Sequence, residues 1–270
     1  MQNQPLARPP QYTIESVDSA LHLLQLLRDH GSVRVKDAAK QLGVAPSTTH
    51  RLLAMLVYRG FAIQDESRVY LPGPGLGVMP IRASWTRALL DIAHPHLEVL
   101  SHSITETVNL MVRVGAAVRF LSTVQSENEE RVSDRQGQVL SARRASGGKA
   151  LLATVDERVL ERLYRSAGSE LSGERMTDAE FHAFQRELDT IRRQGFAINR
   201  QQTERGVCAI GFAIPGADDR PIAAFSIATP VSRFERVLSR DTVAAALQTR
   251  DAIHAELVEH GIRVSSGRVA

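Results

Sequence analysis

The stretch from Lys36 to Tyr58, KDAAKQLGVAPSTTHRLLAMLVY, constrains the fold of this chain more than any other. Its first half has apolar residues at helical spacing and ends at Gly43, a residue that adopts a positive φ at little cost. Pro46 suits the first turn of a second helix, because the N–H that it lacks is not needed there. The apolar face of this second helix consists of Leu52, Leu53, Leu56 and Val57. Two short helices joined by a glycine-containing turn predict a helix-turn-helix.

The opposite face of the second helix carries small or hydrogen-bonding side chains instead of the usual solvated mixture of Glu and Lys. Hydroxyls and an arginine near the start of a helix are the groups that contact base edges and phosphates in the DNA major groove. The predicted DNA-contacting residues on this helix are Pro46, Ser47, Thr48, Thr49, His50, Arg51 and Tyr58. The same pattern is also compatible with a helical hairpin inside any α-helical domain.

The residues that follow favour DNA binding over that alternative. Phe61-Ala62-Ile63 and Arg68-Val69-Tyr70-Leu71 are two β-prone runs around a polar turn, which predict a hairpin. A hairpin directly after a helix-turn-helix is a wing, and Arg68 is expected to contact phosphate or the minor groove from it. The residues Val33–Val35 are predicted to form a short strand that pairs with the wing.

Four parts of the chain resemble the IclR family of bacterial transcription regulators. SVDSALHLLQLL followed by KDAAKQLGVAPSTTHRLLAMLVYRGFA is similar to the N-terminal domain of that family. The later matches are GGKALLA (residues 147–153), GVCAIGFAIP (206–215) and PIAAFSIATPVSRF (221–234). Winged helices occur in many regulator families, whereas the order and spacing of all these segments are specific to this one. Together they span most of the chain, from about Ser16 to Glu259.

The C-terminal part of the chain alternates strands grouped as hairpins with helices, which predicts an α+β domain with an antiparallel sheet. The resemblance implies a sheet like that of GAF and PAS ligand sensors. We expect a disordered arm over residues 1–12, a winged helix-turn-helix domain over 13–75, a linker over 76–88, an effector-binding domain over 89–262 and a disordered tail over 263–270.

The first predicted helix, Ile14–His30, has more apolar surface than one buried face requires. Its spare face is expected to meet another subunit, since a winged helix that binds a two-fold operator gains from dimerisation. The resemblance implies dimers through the DNA-binding domains and often dimers of dimers through the sensor domains. The predicted assembly is therefore a homodimer or a homotetramer.

Composition excludes several classes of protein. The net charge of +3 is compatible with a nucleic-acid partner but does not require one. The single cysteine, Cys208, excludes an intrachain disulfide and a cysteine-based zinc cluster, which suits a reducing cytoplasm. No stretch approaches the roughly 20 apolar residues that a membrane span needs, so no membrane partner is expected. The chain contains neither GxSxG nor HExxH, and we expect no enzymatic activity, no metal site and no cofactor.

The resemblance also implies a small-molecule effector in the second domain, on the sheet and beneath the loop before residues 147–153. Carried over by motif, its contacts are Arg143, Arg144, Ala145, Ser146, Gly147, Asn199, Ala209, Ser226 and Ala228. This chain departs from the family pattern at Asn199, where an acidic residue is common, and at Ala209, where a cysteine is common. Its cysteine lies one residue earlier, at position 208, and strand alternation should turn that side chain to the opposite face.

Two arginines beside a helix N-terminus suit a carboxylate ligand, since a guanidinium forms paired hydrogen bonds with it. We therefore expect an organic acid held by Arg143 or Arg144, with Ser226 as the polar partner. Ile210, Phe212 and Phe225 are the expected apolar contacts on the sheet. The alternative is that both arginines are solvated surface charges or form interdomain ion pairs.

These features predict a cytoplasmic transcription regulator, a repressor rather than an activator, that binds an operator in double-stranded DNA and controls a catabolic operon. The competing interpretation is a ligand-binding or enzymatic sensor-type domain whose degenerate helix-turn-helix serves protein–protein contact. Salt-dependent DNA binding separates the two interpretations, because only a DNA-binding protein loses affinity steeply as salt rises.

Overall fold

The computed structural model describes Tyr12, residues 14–65, 68–73 and 84–165, Ser169 and residues 173–262. The predicted tail (263–270), residues 1–11 of the predicted arm and most of the predicted linker lie outside the described residues. The chain divides into two compact units between Val78 and Met79.

The first unit contains three helices followed by a short hairpin. Its elements are α1 (Glu15–His30), α2 (Val35–Leu42), α3 (Pro46–Tyr58), β1 (Ala62–Gln64) and β2 (Tyr70–Pro72). The helix-turn-helix and the wing predicted from the sequence are therefore both present. Gly43 ends α2 with a φ of 70°, as the turn between the two helices requires. The predicted strand Val33–Val35 is reduced to one bridge between Val33 and Tyr70, because Val35 already begins α2.

One apolar core holds this unit together. It consists of Leu23, Leu26, Leu27, Val33, Ala38, Leu53, Leu56, Ala62 and Tyr70. Burying one such side chain stabilises the fold by roughly 1.5–3 kcal/mol. Because Leu53 and Leu56 direct one face of α3 into this core, the other face of α3 remains in solvent.

The second unit is a sheet with helices on both faces. Its elements are α4 (Ser84–Ile104), β3 (Thr107–Val114), β4 (Ala117–Val124), β5 (Val139–Ser141), α5 (Ser146–Leu152), α6 (Glu157–Arg165), α7 (Asp178–Gln194), β6 (Ala197–Arg200), β7 (Val207–Pro215), β8 (Pro221–Pro230), a 3-10 turn (Val231–Arg233), α8 (Phe234–Val237) and α9 (Arg240–Glu259). The six strands are antiparallel to their neighbours in the order β5-β4-β3-β8-β7-β6. The predicted α+β class is confirmed.

The helices of this unit show three local features at their starts and in the interior of α4. A capping box opens α7, since the Thr177 hydroxyl accepts from the Glu180 N–H and the Thr177 N–H donates to the Glu180 carboxylate. Pro95 lies inside the single helix α4, although a proline in a helix interior removes one backbone hydrogen bond. Residues 84–88, predicted as the end of the linker, form the first turn of that helix.

Strand alternation divides the core of the second unit into two layers. One layer packs α4 and α9 on the sheet and includes Cys208, Ile210 and Phe212 of β7. The other layer packs α5 and α7 on the opposite face of the sheet. Ala209 points to this second face, which agrees with the prediction that Cys208 and Ala209 lie on opposite sides of their strand.

Candidate functional site

The exposed face of α3 presents a continuous stripe of side chains to solvent. Ser47, Arg51, Ala54 and Tyr58 are all exposed and are spaced three or four residues apart, so they lie on one side of the helix. Pro46, Thr48 and His50 are exposed beside them. The Arg59 guanidinium lies 5.1 Å from the centre of the Tyr58 ring and extends the stripe with a positive charge.

Thr49 differs from the other residues predicted to contact DNA. Its side chain is fully buried, and its hydroxyl donates to the Ala45 carbonyl oxygen at 3.3 Å. Thr49 lies four residues before Leu53 and therefore on the core-facing side of α3. The four-residue spacing from Thr49 to Leu53 is the signal in the sequence that identifies Thr49 as a core-facing residue. Its side chain does not belong to the exposed face.

The wing places Arg68 beside a tight turn. The Val69 N–H donates to the Asp65 side chain at 2.8 Å, and the Asp65 N–H donates to the Val69 carbonyl oxygen at 2.9 Å. Arg68 has a φ of 60° and an exposed side chain. An exposed cation at the end of a wing is available to a phosphate.

The second unit contains a cavity on the α5 face of its sheet, with about 310 Å³ of space including the open mouth. The enclosed part is much smaller, about 20 Å³, which holds roughly one water molecule. A small-molecule ligand therefore requires the surrounding side chains or loops to move apart. The lining residues are Asn109, Met111, Phe120, Arg135, Leu140, Ala145, Ser146, Asn199, Thr203, Val207, Ala209, Ser226 and Ala228.

The cavity brings together most of the residues expected to contact an effector. Ala145, Ser146, Asn199, Ala209, Ser226 and Ala228 all line it. Arg143, Arg144 and Gly147 do not. The Arg143 Nε donates to the Glu174 carboxylate at 2.7 Å, Arg144 is exposed, and Gly147 is buried inside α5. The expected arginine anchors therefore lie outside the cavity lining.

The apolar residues expected to contact the effector also lie outside the cavity. Ile210, Phe212 and Phe225 pack under α4 and α9, on the opposite face of the sheet. Since Ala209 and Ser226 face the cavity, their neighbours in each strand must point away from it. The apolar part of the lining comes instead from Met111, Phe120, Leu140 and Val207.

Arg135 is the functional candidate that sequence reasoning missed. It is 5% exposed, and among the described residues that line the cavity it is the one with a charged side chain. Its guanidinium forms an ion pair with Glu204. The loop that carries Arg135 has no hydrophobic periodicity, so the sequence gives no sign that this particular charge turns inward.

Side chains from β6 and α5 form hydrogen bonds with residues 201–206, the segment that contains Glu204. Asn199 accepts from the Gln202 N–H and donates to the Thr203 hydroxyl, both at 2.8 Å. Gln202 in turn accepts from the buried ammonium of Lys149, which also donates to the Ile198 carbonyl oxygen at 3.0 Å. The loop is thereby connected to α5 and β6.

Cys208 takes no part in the cavity. Burial raises the pKa of its thiol, and its side chain packs among apolar groups on the far face of the sheet. Both observations fit a packed, protonated thiol.

A winged helix-turn-helix with an exposed polar recognition helix, in one chain with a sheet domain that encloses a partly polar cavity, defines a ligand-responsive transcription regulator. The family described as "Bacterial transcriptional regulator IclR C-terminal" matches residues 84–255, and the "IclR helix-turn-helix domain" matches residues 16–66. The chain belongs to the IclR family of DNA-binding transcription regulators and is not an enzyme. Its second unit is the GAF-like effector domain of that family.

Two regulators that are similar in sequence align over most of the chain. The HTH-type transcriptional regulator BhcR of Paracoccus denitrificans (strain Pd 1222) is 32% identical over 228 residues, which are 82% of this chain and 79% of BhcR. The transcriptional repressor IclR of Escherichia coli (strain K12) is 28% identical over 254 residues, which are 93% of this chain and 92% of the repressor.

Solved structures share the fold. The Thermotoga maritima IclR matches with a TM-score of 0.56 and 22% identity, over 90% of this chain and 98% of that one. An IclR homolog of Microbacterium hydrocarbonoxydans complexed with 4-hydroxybenzoate gives the same four values. In the described part of this chain, no helix has the length and apolarity needed to cross a membrane.

Proposed function

We propose that this regulator is a repressor of a catabolic operon and that a small organic acid controls its binding to the operator. Repression is supported by the names of several relatives, among them the Escherichia coli transcriptional repressor IclR and the acetate operon repressor of Salmonella typhimurium. The exposed stripe on α3 is the observation that carries the DNA-binding part of the proposal.

The proposed operator contacts come from α3 and the wing. Ser47, Thr48, His50 and Arg51 at the start of α3 would contact base edges and phosphates in the major groove. Tyr58 and Pro46 would pack against the sugar–phosphate backbone. Arg68 would neutralise a phosphate from the wing.

The proposed assembly is a homodimer or homotetramer with the DNA-binding units paired through α1. Ile14, Val17 and Leu21 are large apolar side chains on the outer face of that helix, each at least half exposed. An exposed apolar stripe on an otherwise amphipathic helix is typical of a subunit contact. A dimer would present two copies of α3 to a two-fold operator.

The proposed effector carries a carboxylate because the cavity lining combines one cation, Arg135, with hydroxyl and amide side chains and apolar surface. Guanidinium groups bind carboxylates through paired hydrogen bonds. The Microbacterium hydrocarbonoxydans homolog, solved with the organic acid 4-hydroxybenzoate, supports this class of ligand. The acid would bind one relative arrangement of the DNA-binding units more tightly than another and so shift the population of operator-binding protein.

The test begins by selecting duplexes from a random pool with the full-length protein. The proposal predicts an enriched sequence with two-fold symmetry, bound more tightly than scrambled DNA, with an affinity that falls steeply as salt rises. It also predicts that one or more small organic acids release this duplex. Failure to enrich any sequence would contradict the operator proposal, and release by neutral compounds alone would contradict the proposed class of effector.

A further inference from the structure

The ion pair between Arg135 and Glu204 joins two loops at the cavity. Arg135 belongs to the long loop, which we define as residues 125–138, and Glu204 belongs to the short loop, residues 201–206. Both Arg135 and Thr203, the neighbour of Glu204, line the cavity. The pair therefore lies beside the cavity.

The two partners differ strongly in their exposure. The Arg135 side chain is 7% exposed, whereas the Glu204 side chain is 54% exposed. A buried guanidinium requires an anionic partner, because removing a charge from water is costly without one. A carboxylate that is already half exposed costs little free energy to transfer completely into water. Glu204 is therefore the exchangeable member of the pair.

The backbone of Arg135 is held in position without the help of Glu204. Its backbone N–H donates to the Thr123 hydroxyl at 3.1 Å, and its carbonyl oxygen accepts from the Gln138 N–H at 2.9 Å. Its guanidinium lies 6.0 Å from the centre of the Phe120 ring. The departure of Glu204 would leave this backbone fixed, with the guanidinium beside the Phe120 ring and without its carboxylate partner.

Asn109 supplies a second polar group for a ligand. It is 1% exposed, lines the cavity, and its Oδ1 accepts from the Thr123 hydroxyl at 2.9 Å. Its Nδ2 is buried and has no hydrogen-bond partner. Buried polar groups are nearly always paired in folded proteins, so this free donor indicates a place for a ligand acceptor.

We propose that Glu204 acts as an internal competitor of the effector, and that the effector carboxylate replaces it on Arg135. One carboxylate leaves the guanidinium and another arrives, so the charge balance of the cavity is unchanged. Asn109 donates to the ligand in addition. The exchange disconnects the long loop from the short loop, which remains tied to α5 through Gln202 and Lys149. This inference rests on the proposed function, in which this cavity holds the effector.

The test is calorimetry on the full-length protein with three acids and their neutral amides: 4-hydroxybenzoate, benzoate and acetate, with 4-hydroxybenzamide, benzamide and acetamide. Glu204→Gln should bind the preferred acid roughly tenfold to a hundredfold more tightly than the wild type, because it removes the competitor of a charge-assisted hydrogen bond. Its affinity for the amide should stay the same. Arg135→Gln should lose the preference for the acid, and Arg135→Lys should retain part of it.

Asp189→Asn is the matched control, since Asp189 forms an exposed ion pair with Arg192 within α7 and its loss should leave the affinity unchanged. Unchanged or weaker binding of the acid by Glu204→Gln would overturn the exchange while leaving the proposed carboxylate effector intact. Equal binding of acids and amides by the wild type, or no binding of any of the six compounds, would overturn both.

Hydrogen exchange provides a second measurement that needs no ligand. Glu204→Gln should increase amide exchange in residues 125–138 and 201–206 relative to the wild type, and saturating acid should do the same in the wild type. A variant whose two loops exchange as slowly as those of the wild type would contradict the proposed coupling between them.

Discussion

Gly211 of β7 lies directly against the backbone of Ser146, the first residue of α5. A Cβ atom on Gly211 would come within 2.3 Å of the Ser146 carbonyl carbon and of the Gly147 nitrogen. Helix α5 therefore rests on the sheet with no side chain between them at this point. This contact fixes the height of Ala145 and Ser146 above the strands, and with it the depth of the cavity.

Gly211→Ala is expected to lower the free energy of unfolding of the full-length protein by about 1–3 kcal/mol, as overpacking of a core does. The added methyl group meets backbone atoms, which cannot rotate away as the end of a side chain could. Urea denaturation followed by circular dichroism measures the effect. Ala244→Ser, which also adds one heavy atom but on the exposed side of α9, should change stability by no more than about 0.5 kcal/mol. Equal stability of the Gly211→Ala variant and the wild type would contradict the claim that this contact fixes the position of α5 on the sheet.

The helices and strands of the DNA-binding unit could be predicted from the sequence, whereas the charged residue that lines the cavity, Arg135, could not. Helical spacing, Gly43 and Pro46 predicted the helix-turn-helix, and two β-prone runs predicted the wing, because those signals are local. Alternation also predicted the opposite orientations of Cys208 and Ala209. The same alternation places Ile210 on the face of the sheet opposite Ala209, where the structure has it, and therefore outside the cavity.

Arg135 could not be found by such rules. Its backbone is fixed by a hydrogen bond to the Thr123 hydroxyl, and its guanidinium pairs with Glu204, a partner 69 residues away in sequence. Arg143 and Arg144 adjoin a family motif, yet Arg143 is paired with Glu174 and Arg144 is exposed. Pairings between distant loop residues are decided by tertiary contacts that single-sequence patterns do not contain.

Leu21→Glu is expected to weaken self-association of the full-length protein by roughly tenfold or more, because it places a charge in the proposed contact between α1 helices. Leu21 is 54% exposed, so the substitution should not disturb the core of its unit. Sedimentation velocity over a range of concentrations measures the change. Gln41→Glu introduces the same charge on the exposed side of α2 and should leave association unchanged. A wild-type protein that is monomeric at micromolar concentration would contradict the proposed assembly.

Arg68→Ala is expected to weaken binding to all DNA sequences by a similar factor. Loss of one phosphate contact per subunit should also reduce the slope of log affinity against log salt by about one for each arginine removed. Fluorescence anisotropy at several salt concentrations, with the selected duplex and a scrambled one, gives both quantities. Arg240→Ala, at the exposed start of α9, is the control for loss of charge. A change in base preference at constant salt slope would assign Arg68 to base contact instead.

The affinity of Arg51→Ala for the selected operator tests most directly that the exposed face of α3 binds DNA specifically. One good base contact contributes about 1–3 kcal/mol, and a two-fold site contains two copies of it. The variant should therefore bind the operator at least tenfold more weakly, while its unfolding curve and its affinity for effector stay those of the wild type. Arg186→Ala, an exposed arginine on α7 of the effector domain, should bind the operator normally. A folded Arg51→Ala protein with wild-type operator affinity would contradict the assignment of this face.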